Sequence, residues 1–212
     1  MANTPIAMNN LGAYYFSIEK NYEEMMRCYR VAIDGGSKTA MCGLGAYYQS
    51  RKEYDEMKRY YEMANCHRAL NTLGQYYIMV ERNREMAMRC WRMAGDANSM
   101  NDLGNIFHGK SICEKYYLAA IKGGITTAFS NIAIYYKSIK KYNKMKYYGE
   151  QAVRYGIVQA MTCLGDYYCE IGDYDQMMRY YMMAIDKGHV GVMNNLGNYY
   201  KRIGDYDSMK RF

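Results

Sequence analysis

Proline is almost absent from this sequence of 212 residues, in which Pro5 is the single example. Because proline is the residue that most strongly interrupts a helix, its scarcity leaves long stretches free to be helical. Aromatic residues other than tyrosine are also few, with 4 phenylalanines and 1 tryptophan beside 27 tyrosines. No apolar run approaches the roughly 20 residues that a membrane-spanning helix needs. The sequence therefore predicts no transmembrane segment.

Signatures of catalytic and metal sites are missing as well. The seven cysteines include no C-x-x-C pair, and the three histidines, His67, His108 and His189, show no spacing suited to a metal or to acid–base work. We therefore expect a protein that is not an enzyme and uses no metal or cofactor. The first residues, Met-Ala-Asn-Thr-Pro, lack a basic stretch followed by an apolar one, so no secretory signal is expected. An odd number of cysteines without a signal favours free thiols and a cytoplasmic location.

What the sequence does contain is a repeat. A phrase that begins with leucine and glycine and ends in two tyrosines recurs at residues 11–15, 44–48, 73–77, 164–168 and 196–200, with degenerate copies at 103–107 and 132–136. A second phrase follows each copy, as in Tyr174, Met177, Tyr181 and Ala184. Self-similarity at a fixed period indicates a repeat architecture in which each copy is one structural unit.

Apolar residues in the sixth copy follow the helical period. The first phrase carries a stripe at i, i+4 and i+8, formed by Ala160, Leu164 and Tyr168. The second phrase carries its own stripe, which begins at Met177 with spacings of i, i+4 and i+7. Each unit is therefore a pair of helices, A and B. Two helices this short cannot bury both stripes alone, so neighbouring pairs must stack.

Turn and packing signals delimit these helices. Asp173 is a good N-cap for helix B of the sixth unit, and Gly188 supplies a left-handed residue at the end of that helix. Gly165 inside helix A costs roughly 1 kcal/mol relative to alanine. Its recurrence in six of seven copies predicts close approach of the partner helix. In the fourth unit, Ser111 and Glu114 have the spacing of a capping box.

These patterns predict an all-α fold, a right-handed α-solenoid of about six and a half helix–turn–helix repeats in a single domain, 1–212. The expected repeats are 5–36, 37–65, 66–95, 96–124, 125–156, 157–188 and the incomplete 189–212. Thr4 and Pro5 can cap and start the first helix. Phe212 falls halfway through the last helix B. Because solenoids normally need polar capping elements, we expect exposed apolar end faces, through either truncation or end-to-end self-association.

The spacing within the units resembles a known family. Counted from the glycine, an aromatic residue at +3, a slim residue at +12, an aromatic residue at +16 and alanine at +19 match the tetratricopeptide repeat. The 13-residue run from Ala184 to Gly197 resembles instead the link between Sel-1-like repeats, and the period of 32 is below the 34 typical of tetratricopeptide repeats. The chain thus resembles both relatives over its whole length. In two copies, Cys28 and Cys90 stand in the +16 column and are interpreted as structural.

Tyrosine-rich, proline-poor versions of these repeats are similar to repeats encoded by large DNA viruses. A viral source would place the protein in the host-cell cytoplasm. The resemblance also implies a groove, because helix A lines the concave surface of tetratricopeptide arrays and the residues two and three before the glycine face it. Here those positions hold Asn9, Asn10, Asn71, Asn101, Asn131, Asn194 and Asn195. A side-chain amide both donates and accepts, so it can pair with an extended peptide backbone. We expect a scaffold that binds a protein or peptide there.

The net charge of +7 arises in one region. Seven lysines and no acidic residue lie between Lys115 and Gly149, whereas the rest of the chain is balanced. Five of the seven cluster at the turn of the fifth repeat: Lys137, Lys140, Lys141, Lys144 and Lys146. The alternative function is therefore binding of an anionic partner, such as an acidic protein, nucleic acid or a phospholipid surface. The lack of interleaved aromatic residues argues against nucleic acid, and a solvated loop edge is the simpler interpretation.

Overall fold

Helices account for the regular structure of the chain, as the scarcity of proline predicts. The computed structural model describes residues 4–210, and within them there are fourteen α-helices and no strand. The helices are α1 (Pro5–Tyr14), α2 (Tyr22–Asp34), α3 (Lys38–Ser50), α4 (Tyr54–Ala64), α5 (His67–Met79), α6 (Arg84–Ala94), α7 (Ala97–Ile106), α8 (Ile112–Lys122), α9 (Thr127–Ser138), α10 (Tyr142–Arg154), α11 (Val158–Ile171), α12 (Tyr174–Asp186), α13 (Gly191–Ile203) and α14 (Tyr206–Met209). The all-α prediction is confirmed.

Consecutive helices pair as A and B, from α1 with α2 to α13 with α14, and each pair falls inside one of the expected repeat ranges. The described residues divide into two compact units, a first unit that ends at Ser99 and a second unit that begins at Met100. The single-domain arrangement over 1–212 therefore stays a prediction. Phe212, where we expected the last helix to be interrupted, lies outside the described residues.

The caps expected for α1 and α12 are formed. The side chain of Asp173 accepts a hydrogen bond from the backbone N–H of Gln176 at 3.1 Å, and Gly188 has a φ of +82° at the end of α12. Thr4 accepts from the N–H of Ala7 at 3.3 Å, with Pro5 in the first turn of α1. These contacts satisfy backbone groups that a helix end leaves without an intrahelical partner.

Stacked pairs bury their stripes against one another. In the second unit, one core joins α11, α12 and α13 through the buried side chains of Met161, Met177, Tyr181, Ala184, Val192 and Leu196. In the first unit, residues of α2 and α3 do the same: Met25, Tyr29, Ala32, Ala40 and Leu44. Because each core draws on neighbouring pairs, no single pair has to bury its own stripe, as the repeat pattern predicts.

The glycine in helix A is a packing device. A β-carbon built on Gly104 would lie 2.5 Å from the ring of Tyr117 on helix B, and one built on Gly45 would lie 2.7 Å from the ring of Tyr61. Gly165 meets Tyr181 at similarly close range, so the prediction of a close approach is confirmed. The fifth repeat has Ala133 in helix A, and Gly149 stands at its +16 position. A β-carbon built on Gly149 would lie 3.1 Å from Leu164 of the sixth repeat.

The interpretation of Cys28 and Cys90 as members of the aromatic column is wrong. Tyr29 fills the space beside Gly12, and Trp91 fills the space beside Gly74. In both repeats the ring that meets the glycine lies one position later in the chain than in the second repeat, where Tyr61 meets Gly45. In the first repeat, residues 15–19 after α1 form a π-helical turn.

The capping box of the fourth repeat is also absent. The side chain of Ser111 makes no cap hydrogen bond with α8. The carboxylate of Glu114 instead accepts hydrogen bonds from the Tyr136 hydroxyl at 2.7 Å and the Lys144 ammonium at 3.3 Å, both in the next repeat. The hydrogen bond with Tyr136, followed by the contact with Lys144, lowers the pKa of Glu114 although partial burial opposes this effect. The Glu114 side chain therefore binds residues of the next repeat and does not form the local capping box.

Candidate functional site

A polar cleft of about 500 Å³ lies in the second unit, on the faces of three successive A helices, α9, α11 and α13. It is lined by Lys137, Asp166, Cys169, Glu170, Tyr181, Asn195, Asn198, Tyr199 and Arg202. All but Tyr181, which reaches in from α12, belong to those three helices. Helix A residues of the fifth, sixth and seventh repeats therefore form one surface.

An ion pair bridges the first two A helices of the cleft. The ammonium of Lys137 on α9 lies 2.9 Å from a carboxylate oxygen of Glu170 on α11. The Lys137 side chain is 24% exposed, whereas that of Glu170 is 55% exposed. Because the pair borders on solvent, it contributes little to stability. Either side chain can therefore leave the pair and bind a ligand with little loss of stability.

Asp166 lies deeper and is held by two hydrogen bonds. Its carboxylate accepts from the hydroxyl of Tyr181 at 2.6 Å and from the side-chain amide of Asn195 at 3.2 Å. Burial, followed by the hydrogen bond to Asp166, raises the pKa of Tyr181. The phenol thus stays protonated and donating at neutral pH. This carboxylate joins α11 to both α12 and α13 and orients Asn195 in the cleft.

Arg202 provides a cationic wall on α13. Its guanidinium lies 5.9 Å from the centre of the Tyr199 ring and 6.0 Å from that of the Tyr174 ring. It also reaches to 3.9 Å from the sulfur of Cys169. A guanidinium stacked near aromatic rings keeps donors available for carbonyl or carboxylate oxygens. Arg202 and Asn198 therefore both offer hydrogen-bond donors to the cleft.

A second depression of about 350 Å³ continues the cleft towards the N-terminal ends of α11 and α13. It shares Lys137 and Asp166 with the first and adds Ile134, Gln159, Thr162, Cys163 and His189. Burial raises the pKa of the Cys163 thiol to about 11, so this side chain is a neutral, weakly polar part of the wall. Together, the cleft and this second depression present charged, amide and apolar side chains.

The predicted asparagine column is divided between roles. Asn195 lines the cleft, and Asn194 beside it is exposed on the same helix. Asn131 donates to the amide oxygens of Asn101 at 2.9 Å and Asn105 at 3.1 Å, and so connects α9 to α7. These amides lie along the A helices as the resemblance implies, but several bind one another.

The asparagines of the first unit are placed differently. Asn71 donates to Asp96 at 2.7 Å and accepts from the hydroxyl of Ser99 at 2.5 Å, so both ends of its amide are engaged. Asn9 donates to its exposed neighbour Asn10 at 3.3 Å. The prediction that this column contacts a ligand stays a prediction. The Asn71 amide acts as a joint between α5 and the start of α7.

The members of the lysine cluster make different contacts, and their joint role as an anionic-partner patch stays a prediction. Lys137 belongs to the cleft, as its pairing with Glu170 shows. The other members lie near the start of α10, where a depression of about 430 Å³ is lined by Lys140, Lys141, Tyr142, Asn143 and Lys144. Lys144 is paired with Glu114, and its ammonium is 5.0 Å from the centre of the Tyr136 ring. Within the described part of the chain, Lys140, Lys141 and the half-buried Lys146 have no ion pair.

Sequence reasoning missed much of the cleft. Asn198 and Arg202 follow Asn195 at i+3 and i+7, which is the same face of α13. Asp166 and Glu170 are related in the same way on α11. The sequence contained a signal for these residues, because the helical period places positions after the glycine on the same inward face of helix A. The prediction covered only the two positions that the family resemblance supplied, two and three residues before the glycine.

Two classes of site are missing from residues 4–210. No group of three or more histidine, cysteine, aspartate or glutamate residues there is arranged to hold a metal ion. None of the helices in that range is long and apolar enough to cross a membrane.

Comparison with known proteins identifies the fold. The crystal structure of c5321, a protective antigen of uropathogenic Escherichia coli with an SLR fold, matches with a TM-score of 0.82 at 18% identity, covering 98% of this chain and 52% of that one. A Sel1 repeat protein from Oxalobacter formigenes matches with a TM-score of 0.65 at 23% identity, covering 87% and 89%. Pseudomonas aeruginosa pilF matches with a TM-score of 0.65 at 18% identity, covering 84% and 89%.

The chain therefore has the α-solenoid fold of Sel1-like and tetratricopeptide-like repeat proteins, and that prediction is confirmed. It spans about half the length of c5321. No protein-family model matches the sequence, and no curated protein matches it. Repeat proteins of this fold commonly mediate protein interactions.

Proposed function

We propose that this chain is a non-enzymatic scaffold that binds a partner protein by holding an extended segment of it in the cleft on α9, α11 and α13. The observation that carries the proposal is the cleft itself, a concave polar surface of about 500 Å³ built by three successive A helices. A concave site with a few convergent polar groups is the default place for a ligand.

The dimensions suit a short extended peptide. Packed helices lie about 8–10 Å apart, so three successive A helices span roughly 18 Å. An extended chain advances about 3.3 Å per residue, so about five or six residues would cross them. A helical peptide with the same number of residues would be too short to reach all three A helices, because its rise is only about 1.5 Å per residue.

The chemistry suits a peptide backbone with an acidic side chain or carboxylate. Asn198 offers an amide donor and acceptor, and Arg202 offers several donors in a planar fork. Lys137 can turn from Glu170 to the ligand, since both are partly exposed. Asp166 is committed to Tyr181 and Asn195, so it acts as support and not as a contact.

A pair of neighbouring residues allows a controlled test. Arg202 lines the cleft, whereas Lys201 is exposed on α13 and lies outside the residues that line it. Peptides selected from a random library on the whole chain would be measured by fluorescence anisotropy. We expect Arg202→Ala to weaken binding at least tenfold, which corresponds to about 1.4 kcal/mol, and Lys201→Ala to leave it within twofold. Equal binding by both variants would rule out this cleft.

A second candidate function uses the depression at the start of α10. Lys140 and Lys141 line it without an ion pair among the described residues, and their charge is available to an anionic protein surface. Binding of an acidic partner there would fall steeply with salt concentration. The double change Lys140→Glu with Lys141→Glu would abolish it, whereas Arg202→Ala would not. Binding that resists both salt and the double change would refute this candidate.

A further inference from the structure

Two cysteine sulfurs are in contact in the first unit. The Sγ atoms of Cys42 and Cys66 lie 3.5 Å apart, although 24 residues separate them in the sequence. Cys42 is on α3 and is 8% exposed, whereas Cys66 is the N-cap of α5 and is half-buried. The pair thus joins the A helices of the second and third repeats. Of the two thiols, Cys66 is the one that a small reagent in solution reaches first.

The same place in the next repeat is occupied by a polar bridge. Cys42 stands three residues before Gly45, as Asn71 stands three before Gly74. Cys66 stands eight residues before Gly74, as Asp96 stands eight before Gly104. Asn71 and Asp96 are joined by a hydrogen bond of 2.7 Å. This position therefore holds successive A helices together through side chains, and at one joint the side chains are thiols.

We propose that Cys42 and Cys66 form a reversible intramolecular disulfide when the protein encounters a hydroperoxide. A disulfide needs the sulfurs at about 2.05 Å, so they must approach by about 1.5 Å, which side-chain rotation and small helix shifts supply. The bond would replace a weak contact between α3 and α5 with a covalent one. This inference is independent of the cleft and of any partner.

The reaction balances with hydrogen peroxide as oxidant. The Cys66 sulfur, as thiolate, attacks a peroxide oxygen, the O–O bond breaks, and Cys66 sulfenic acid and hydroxide form. The Cys42 sulfur then attacks the Cys66 sulfur and displaces the hydroxyl group, which leaves as water with the Cys42 proton. Two thiols and one peroxide give one disulfide and two waters. Burial, followed by the contact with Cys66, raises the pKa of Cys42 to about 12, so Cys42 stays a thiol and the first step falls to the more exposed Cys66.

Intact mass after alkylation tests the proposal on the whole chain. The reduced protein, denatured and treated with N-ethylmaleimide, should carry a label on each of its seven cysteines. After brief exposure to hydrogen peroxide, two labels should be lost, and dithiothreitol should restore them. Digestion with trypsin without reduction should link peptide 39–51 to peptide 60–68, each of which contains a single cysteine. A different linked pair, or seven labels after exposure, would overturn the proposal.

Three variants assign the two steps. Cys66→Ser should retain its remaining six labels after peroxide. Cys42→Ser should leave Cys66 as a sulfenic acid that dimedone traps. Cys169→Ser, which removes a half-buried thiol of the second unit, should still lose two labels. The linked peptides of the unmodified chain decide the question if a serine variant fails to fold. Loss of two labels from Cys66→Ser would show that another pair reacts.

Discussion

Adding one methyl group to the helix A glycines should have opposite effects at two equivalent positions. Gly104 and Gly197 occupy the same place in the repeat phrase. A β-carbon on Gly104 would lie 2.5 Å from a ring carbon of Tyr117, whereas one on Gly197 would have no heavy atom of the described residues within 4 Å. Gly104→Ala should therefore destabilise the protein, and Gly197→Ala should stabilise it.

The magnitude follows from the packing of Tyr117. Carbon atoms in contact prefer about 3.5–4.0 Å, so the new methyl group would overlap the ring by about 1 Å. The ring cannot turn away, because it is 0% exposed and its hydroxyl is hydrogen-bonded to Asn105 at 3.0 Å and His108 at 3.2 Å. Overpacking costs about 1–3 kcal/mol. Alanine regains about 1 kcal/mol of helix propensity, which leaves a net loss of up to about 2 kcal/mol at position 104 and a gain of up to about 1 kcal/mol at position 197.

Equilibrium unfolding in urea, followed by far-UV circular dichroism, would measure both changes in the free energy of unfolding. The attribution to Tyr117 can be tested in a Tyr117→Leu background, where the flexible side chain can move aside. There the cost of Gly104→Ala should disappear. A cost that persists without the ring, or the same sign of effect at both glycines, would refute the reasoning.

Three further changes test individual contacts. Asn71→Ala should lower the free energy of unfolding by about 1.5–3 kcal/mol, because it removes two hydrogen bonds, one of them to a carboxylate. The exposed Asn98→Ala is the control, and an equal loss of stability in both variants on urea unfolding would contradict this prediction. Asp173→Ala should cost about 0.5–2 kcal/mol by removing the cap of α12, seen as faster hydrogen exchange in its first turn. Since the folded pKa of Glu114 is lowered, its contribution to stability is present above the ordinary carboxyl pKa and is lost as the pH falls through the folded value. Glu114→Gln should therefore flatten the loss of stability below about pH 5, and an unchanged pH profile would contradict the assignment.

The helix pairs were predictable because the information is local. The stripe that begins at Met177, the cap at Asp173 and the left-handed Gly188 all depend on residues within a few positions of one another. The helical period converts such spacings directly into a buried face and an end. The close approach at Gly165 was predictable for a similar reason, since a glycine inside a helix is costly unless a neighbour needs the space.

The predictions that failed depended on an offset or on a distant partner. In the first and third repeats the ring that meets the glycine lies one position later than in the second repeat, so Tyr29 and Trp91 fill the aromatic place that Cys28 and Cys90 were expected to mark. Glu114 has the spacing of a capping box, yet Tyr136 offers it a tertiary hydrogen bond. Local spacing cannot rank these alternatives, because their energies differ by only about 1 kcal/mol.

By itself, the sequence determined the fold class and the order of the helices, since the apolar period, caps and glycines recur at regular intervals. Tertiary structure alone decided which polar side chains meet. It placed Lys137 beside Glu170 in the cleft, and it brought Cys42 against Cys66. The physical reason is that a helical period specifies a direction around one helix axis, whereas a site also requires the axial offset between helices, which the packing of buried side chains sets.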